Sequence, residues 1–243
     1  MISGCDRRSS IARSIITVSM ITLVAVIYAM PGASGQSMYL GLKAGPTVAF
    51  QQWSGYQKSN PLLALHLMGH LESYGESSSF YLNAGLNPKG RGLRFNDFVS
   101  PISGRVVRGG YSRILFKNAE VVAGVKKYYD LSDEFEWFYS FGIRGSYTYG
   151  TEFGDITYIN TNGLRKWNYG VSAGGGIRLI ANEFFRPLLH ITFSPDLSQQ
   201  IYTPPQELTT PSGNRYQVPE QEIRNISLEI GVTLQFLRKV IYE

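Results

Sequence analysis

From Asn225 to Phe236 the chain alternates without a break: Ile226, Leu228, Ile230, Val232, Leu234 and Phe236 against Ser227, Glu229, Gly231, Thr233 and Gln235. Successive side chains of a strand point to opposite faces, so this run predicts a ribbon with one apolar side and one polar side. The same period recurs upstream. Leu40, Leu42, Ala44, Pro46, Val48 and Phe50 oppose Tyr39, Gly41, Lys43, Gly45, Thr47 and Ala49, and Pro46 predicts a bulge or a local break in pairing. Over Leu62 to Leu71, Leu63, Leu65, Leu67 and Leu71 oppose Ala64, His66, Met68 and His70; then Phe80, Leu82, Ala84 and Leu86 oppose Tyr81, Asn83, Gly85 and Asn87. Between Ile114 and Tyr129, Ala119, Val121, Ala123 and Val125 oppose Asn118, Glu120, Gly124 and Lys126. Trp137, Tyr139, Phe141, Ile143, Tyr147 and Tyr149 oppose Phe138, Ser140, Gly142, Arg144, Ser146 and Thr148. Two further ribbons set Trp167, Tyr169, Val171, Ala173, Ile177 and Leu179 against Asn168, Gly170, Ser172, Gly174, Gly176 and Arg178, and Phe185, Leu189, Ile191 and Phe193 against Arg186, His190 and Thr192. Eight strands are predicted in all.

Which side of these ribbons meets water decides the architecture. A soluble sandwich or barrel turns the apolar side inward, whereas a membrane barrel turns it toward lipid. Each ribbon is near the ~9 to 11 residues that a tilted transmembrane strand requires. The intervening segments (51–60, 72–79, 88–112, 130–134, 150–166, 181–183 and 194–222) run long, short, long, short, long, short, long, the order of an up-and-down meander with short periplasmic turns and longer outer loops. Tyr39, Phe50, Trp137, Tyr147, Tyr149, Trp167, Tyr169 and Phe236 fall near strand ends, where barrel girdles meet lipid headgroups. The expectation is an all-β chain: an eight-stranded antiparallel up-and-down transmembrane β-barrel with a polar, side-chain-filled interior. The alternative is a soluble periplasmic β-barrel or sandwich binding a small apolar ligand inside, which would bury Leu228, Ile230, Val232 and Leu234 and wet Glu229.

Composition agrees with one large all-β domain. Glycine (26), tyrosine (16) and phenylalanine (13) are abundant in the 243 residues, and the charged fraction of 17% is below the ~25% usual for a water-soluble surface. Mean hydropathy is nevertheless −0.11, so apolar residues are interleaved and not clustered. The N-terminus is the exception. Arg7, Arg8 and Arg13, an apolar run from Ile15 to Ala29, then Ala33 and Gly35 give the order of a cleavable secretory signal peptide. This predicts a leader over residues 1–35 and a barrel domain over 36–243. Cys5, the single cysteine, precedes the apolar run, so no lipid-anchored cysteine is implied. Removing the leader leaves 20 basic and 17 acidic residues, a formal +3, with no basic patch interleaved with aromatics to indicate nucleic acid.

If the polar faces point inward, the interior holds Lys43, Glu120, Lys126, Arg144, Arg178, Arg186 and Glu229, with His66, His70 and His190. Eight strands enclose a space just wide enough for side chains, so these charges are expected to pair as a structural network and plug the barrel, leaving at most a narrow ion path. His66 and His70 would lie roughly 13 Å apart at ~3.3 Å per residue, too far to share a metal. No Walker loop, dinucleotide fingerprint, paired-cysteine spacing or Gly-x-Ser-x-Gly nucleophile motif occurs. Neither an enzyme nor a cofactor is therefore expected; an outer-membrane enzyme would need a serine, a histidine and an acid in reach of one another at the barrel wall. The run Gly174-Gly175-Gly176 lies inside a strand with no helix after it, which suits close approach of neighbours and not phosphate binding. Lys89, Arg91, Arg94, Arg105 and Arg108 read either as solvated loop charges or as contacts for lipopolysaccharide phosphates and carboxylates, and the 194–222 loop as a surface for a protein partner.

Four stretches resemble a known family. Gly41-Leu42-Lys43-Ala44-Gly45, Ala84-Gly85-Leu86-Asn87-Pro88-Lys89-Gly90, Gly170-Val171-Ser172-Ala173-Gly174-Gly175-Gly176 and Ser227-Leu228-Glu229-Ile230-Gly231-Val232 are similar to the PorT-like outer membrane protein β-barrel family, common in Bacteroidetes-type bacteria. The resemblance covers the chain after the leader. It implies an eight-stranded barrel in the outer membrane of a Gram-negative cell envelope, in contact with outer-membrane lipid and lipopolysaccharide and inserted by the barrel assembly machinery. Most members have no assigned chemistry, and one branch is tied to secretion and gliding machinery, which implies an association with envelope or secretion machinery. Such barrels often finish on an aromatic read by the assembly machinery; here Leu237 to Glu243 follow Phe236, and Tyr242 is the substitute.

Overall fold

The computed structural model describes residues 37–53, 60–75, 78–94, 98–99, 106–107, 110–153, 163–180, 185–209, 215–218 and 220–240, so the expected leader and Tyr242 lie outside the described residues. Eight strands form the wall: β1 (Ser37–Trp53), β2 (Leu62–Tyr74), β3 (Ser78–Leu86), β4 (Tyr111–Asp130), β5 (Phe135–Phe153), β6 (Trp167–Leu179), β7 (Arg186–Pro195) and β8 (Gln221–Val240). Each pairs antiparallel with the next. β8 also pairs with β1, which closes the ring. No strand of the ring then presents an open edge to its surroundings.

Parity decides the orientation of every ribbon. On the outer surface Leu63, Leu65, Ile143 and Phe80 are 71%, 74%, 69% and 68% exposed, while Glu120, Glu229 and Arg178 inside are 1%, 2% and 0% exposed. Water would not hold such an arrangement, because it leaves the apolar area wet and buries the charges. The soluble alternative is thereby overturned: Ile230, Val232 and Leu234 face out and Glu229 faces in. The chain is an eight-stranded antiparallel transmembrane β-barrel with a polar interior.

Several local expectations are corrected. Pairing of β1 with β2 runs in unbroken register through Pro46↔Leu65, so Pro46 marks no bulge there. The register shift lies instead between Lys117 and Asn118, where β4 meets β5. Leu71 keeps its outward parity but is only 4% exposed, flanked in register by Leu40 and Leu82. Tyr39 is not part of an outer girdle; it is 3% exposed and turned inward with the rest of its parity class. The strands are longer than a bilayer needs, reaching 20 residues in β4 and β8 and 19 in β5.

Two of the long connections are partly wall. Lys89–Arg94 pairs with Tyr111–Phe116 of β4, and Ile201–Thr203 pairs with Gln221–Ile223 of β8. Between β7 and that short strand, the amides of Asp196, Leu197 and Gln200 bond to carbonyls of Asn225, Tyr169 and Ile223, so the chain stays seated between β6 and β8. Only beyond Thr203 does it leave, as a hairpin of Gln206–Thr209 with Arg215–Val218. Two apolar layers interrupt the polar interior: Ile114, Phe116, Ile201 and Ile223 with Leu164 toward the long connections, and Tyr128, Phe138 and Leu188 with Tyr74 toward the tight turns.

Closure depends on two glycines of β1. A Cβ on Gly41 would stand 2.3 Å from the Leu234 carbonyl oxygen, and one on Gly45 would stand 2.1 Å from that of Ile230. Backbone cannot give way as a side chain can, so β1 could not dock on β8. Gly45→Val is expected to cost on the order of 3 kcal/mol or more through overpacking. Gly145→Val, where an added Cβ meets nothing within 4 Å, serves as the neutral comparison. Heat-dependent gel mobility after refolding in detergent reads both: loss of the compact band for the first, retention for the second.

Candidate functional site

The interior polar network is the candidate site, and it has two clusters. Near the middle, the ammonium of Lys43 donates to Glu229 at 2.8 Å, and Asn87 Nδ2 donates to both Glu229 (2.9 Å) and Glu120 (3.1 Å). Glu120 also takes Lys89 at 2.5 Å and lies 3.8 Å from Arg144 Nε. Arg144 pairs with Asp196, which Lys89 approaches at 3.9 Å. Asn225 continues the network outward, donating to Asp196 (2.9 Å) and Gln200 (3.0 Å) and accepting from Gln51 (2.8 Å). Four wall strands, the Asn87 and Lys89 segment after β3 and the seated segment after β7 thus meet through one set of side chains.

The second cluster is centred on Glu72, which is fully buried. It accepts from Lys126 at 2.7 Å, Gln235 at 2.8 Å, Tyr128 at 2.5 Å and Ser79, and its Oε2 lies 2.9 Å from His70 Nε2. Beside it Arg178 pairs with Glu136 and lies with its guanidinium carbon 4.0 Å from the centroid of the Tyr128 ring and 4.5 Å from that of Tyr74. The arginine face is thereby covered by aromatic π-density while its edge meets a carboxylate.

Of the residues singled out in the sequence, Lys43, Glu120, Lys126, Arg144, Arg178 and Glu229 all lie inside, distributed over the two clusters. Arg186 does not join them. It is half-buried, with its guanidinium carbon 5.4 Å from the centroid of the Tyr39 ring. His70 enters the Glu72 cluster, while His66 and His190 belong to the middle of the barrel. Glu72, Lys89 and Asp196, which the sequence reads as connection residues, also belong to the network, as does Glu136, which falls between the 130–134 turn and the strand residues named from Trp137. Parity carries the signal that finds them: Glu72 extends the inward series of His66, Met68 and His70, Lys89 that of Asn83, Gly85 and Asn87, and Asp196 that of His190, Thr192 and Ser194.

Charge is balanced here because it must be. An ion taken from water into a narrow low-dielectric space costs several kcal/mol, returned only by close opposite charge and satisfied hydrogen bonds. Among the described residues an interior cavity of about 30 Å³ lies beside Lys43, Lys126, His190 and Glu229. That accommodates a water or two and no larger solute.

No family model and no curated protein matches the chain. Among solved structures it is similar to the outer membrane protein OprG of Pseudomonas aeruginosa, with 13% identity over 84% of this chain and 96% of that one, TM-score 0.41. It is similar also to Neisserial surface protein A, with 9% identity, 85% and 100% coverage and TM-score 0.45. The outer membrane protease OmpT of Escherichia coli gives 8% identity, 88% and 99% coverage and TM-score 0.44. None of these comparisons bears on the PorT-like family, and the membrane reading rests on this chain's own inverted polarity.

Glu72→Ala leaves the Lys126 ammonium buried without its carboxylate and is expected to cost about 3–5 kcal/mol. Replacing both partners, Glu72→Leu with Lys126→Met, removes the stranded charge and recovers most of that loss. Urea unfolding of the barrel from lipid vesicles measures the difference.

Proposed function

We propose that the protein is an integral outer-membrane β-barrel, exported through a cleavable leader over residues 1–35, that serves as a structural and interaction protein with its long connections as the working surface. The observation that carries this reading is the inversion itself: exposed leucine, isoleucine and phenylalanine around a core of paired ions. Aromatic placement supports it. Tyr129 stacks on Trp137 with centroids 4.6 Å apart near the tight turns, and Tyr147 meets Trp167 at 4.9 Å near the long connections. The ten residue-to-residue steps of β5 from Trp137 to Tyr147, at ~3.3 Å rise and ~40° tilt, span roughly 25 Å, the height of the apolar band of such barrels.

Past the upper girdle the outer face turns charged. Exposed Arg113 and Lys117 share Glu152, and Arg224 pairs with Glu222 at 3.5 Å. The hydrogen bond and charge of Lys117 hold the Glu152 carboxyl below its ordinary range. This band sits where lipopolysaccharide phosphates and carboxylates lie, and it supports contact with them. Lys89 and Arg91, in contrast, are inside the wall and unavailable to that contact. Association with envelope or secretion machinery stands on the PorT-like resemblance. With the interior filled and apolar layers toward both ends, the barrel is expected to give no stepwise conductance in planar bilayers.

Leu65→Arg and Ile230→Arg test the reading. In a water-soluble protein an exposed leucine tolerates arginine, whereas at the bilayer midplane it costs about 2–4 kcal/mol. Both variants are expected to lose outer-membrane yield on fractionation while Arg113→Ala keeps it; equal yields, or folded protein in the soluble periplasm, would sink the proposal.

A further inference from the structure

Four inward positions lie side by side across the wall: His66 of β2 is in register with Gly45 of β1, and His190 of β7 with Gly231 of β8. Gly45 and Gly231 are neighbours across the closing seam, since a Cβ on Gly45 would stand 2.6 Å from the Gly231 Cα. Two imidazoles therefore flank two residues without side chains. Both rings lean over the gap. A Cβ on Gly231 would stand 3.0 Å from His66 Nε2 and 3.0 Å from His190 Nε2, so the two nitrogens are at most twice that distance apart. Neither has a hydrogen-bond partner, and the two histidines are only 2% and 6% exposed.

The neighbours fix the state of one ring. Asn87 Nδ2 donates to the carboxylates of Glu120 and Glu229, so its Oδ1 is the atom facing Thr47. The Thr47 hydroxyl must give its proton to that oxygen. It can then only accept from His66 Nδ1, 3.0 Å away, and His66 keeps a bare lone pair on Nε2. A histidine whose far nitrogen is anchored in this way while the near one is free has the arrangement of a metal ligand.

We propose that His66 and His190 form a two-imidazole site for a soft monovalent cation, Cu(I). Two metal–nitrogen bonds of about 2 Å each fit within the gap. Among the described residues no three His, Cys, Asp or Glu side chains converge on one ion position, so the donor set is that of an ion content with two ligands. Charge selects the same ion. The desolvation cost of an ion grows with the square of its charge, and the nearby carboxylate Glu229 is already paired with Lys43, which disfavours a divalent metal. Met68, buried on the same inward face two positions from His66, adds a soft side chain to the neighbourhood.

The test is to refold the full chain in detergent with Cu(I) under anaerobic, reducing conditions and titrate retained copper against a chromogenic Cu(I) chelator, with heat-dependent mobility confirming the folded state. One equivalent is expected, with two nitrogen ligands by X-ray absorption. His66→Ala and His190→Ala should each weaken retention roughly tenfold or more, the scale of losing part of a metal site. Gly231→Ala, which places a methyl between the nitrogens, should do the same. Folded wild-type barrel that retains no Cu(I), a sulfur-only signal, or retention indifferent to both histidines would overturn the assignment; a water bridging the two rings is then what the gap holds.

Discussion

Hydrocarbon offers neither hydrogen bonds nor counterions, and everything else in this barrel answers to that. Backbone groups of the wall are satisfied by pairing each strand on both sides, which requires β8 to return to β1. Charged side chains turned away from lipid are satisfied by one another, as Lys43 is by Glu229, Lys89 by Glu120, and Arg178 by Glu136. Closure and ion pairing are one requirement met at two scales. Gly41 and Gly45 belong to the first, because only a residue without a side chain lets the seam carbonyls come so near.

The interior is stratified. Toward the tight turns an aromatic layer with Arg178 lies beside the Glu72 cluster; the middle holds Lys43, Glu229, Glu120 and Arg144; toward the long connections Asn225, Gln51 and Gln200 lead to the apolar layer around Phe116. Such layering holds the ions away from both mouths. It also ties remote segments together, since Asp196, far along the chain, neutralises Arg144 of β5 and is bound by Asn225 of β8.

Alternation makes the strands and their facing legible in the sequence, because a period of two leaves no other way to separate Ile230 from Glu229. Boundaries were less legible. A polar residue at a strand end looks like a loop residue, as Glu72, Lys89 and Asp196 do, although each continues an inward parity; Glu136, just ahead of Trp137, continues that of Phe138 and Ser140. Pro46 misled for a different reason: proline forbids a donor, not a place in the ladder, and its register with Leu65 holds. The pairing of particular ions was out of reach, since it depends on which strands stand opposite across the lumen. So was the convergence of His66 with His190, residues 124 positions apart in the chain.

The seating of residues 196–203 between β6 and β8 divides the final long connection into two kinds of sequence. Up to Thr203 it is masonry, held by the amides of Asp196, Leu197 and Gln200 and by the Ile201 side chain. Past that point the chain pairs with itself, Gln206–Thr209 against Arg215–Val218, in a two-stranded ribbon of its own and not in the ladder of the ring.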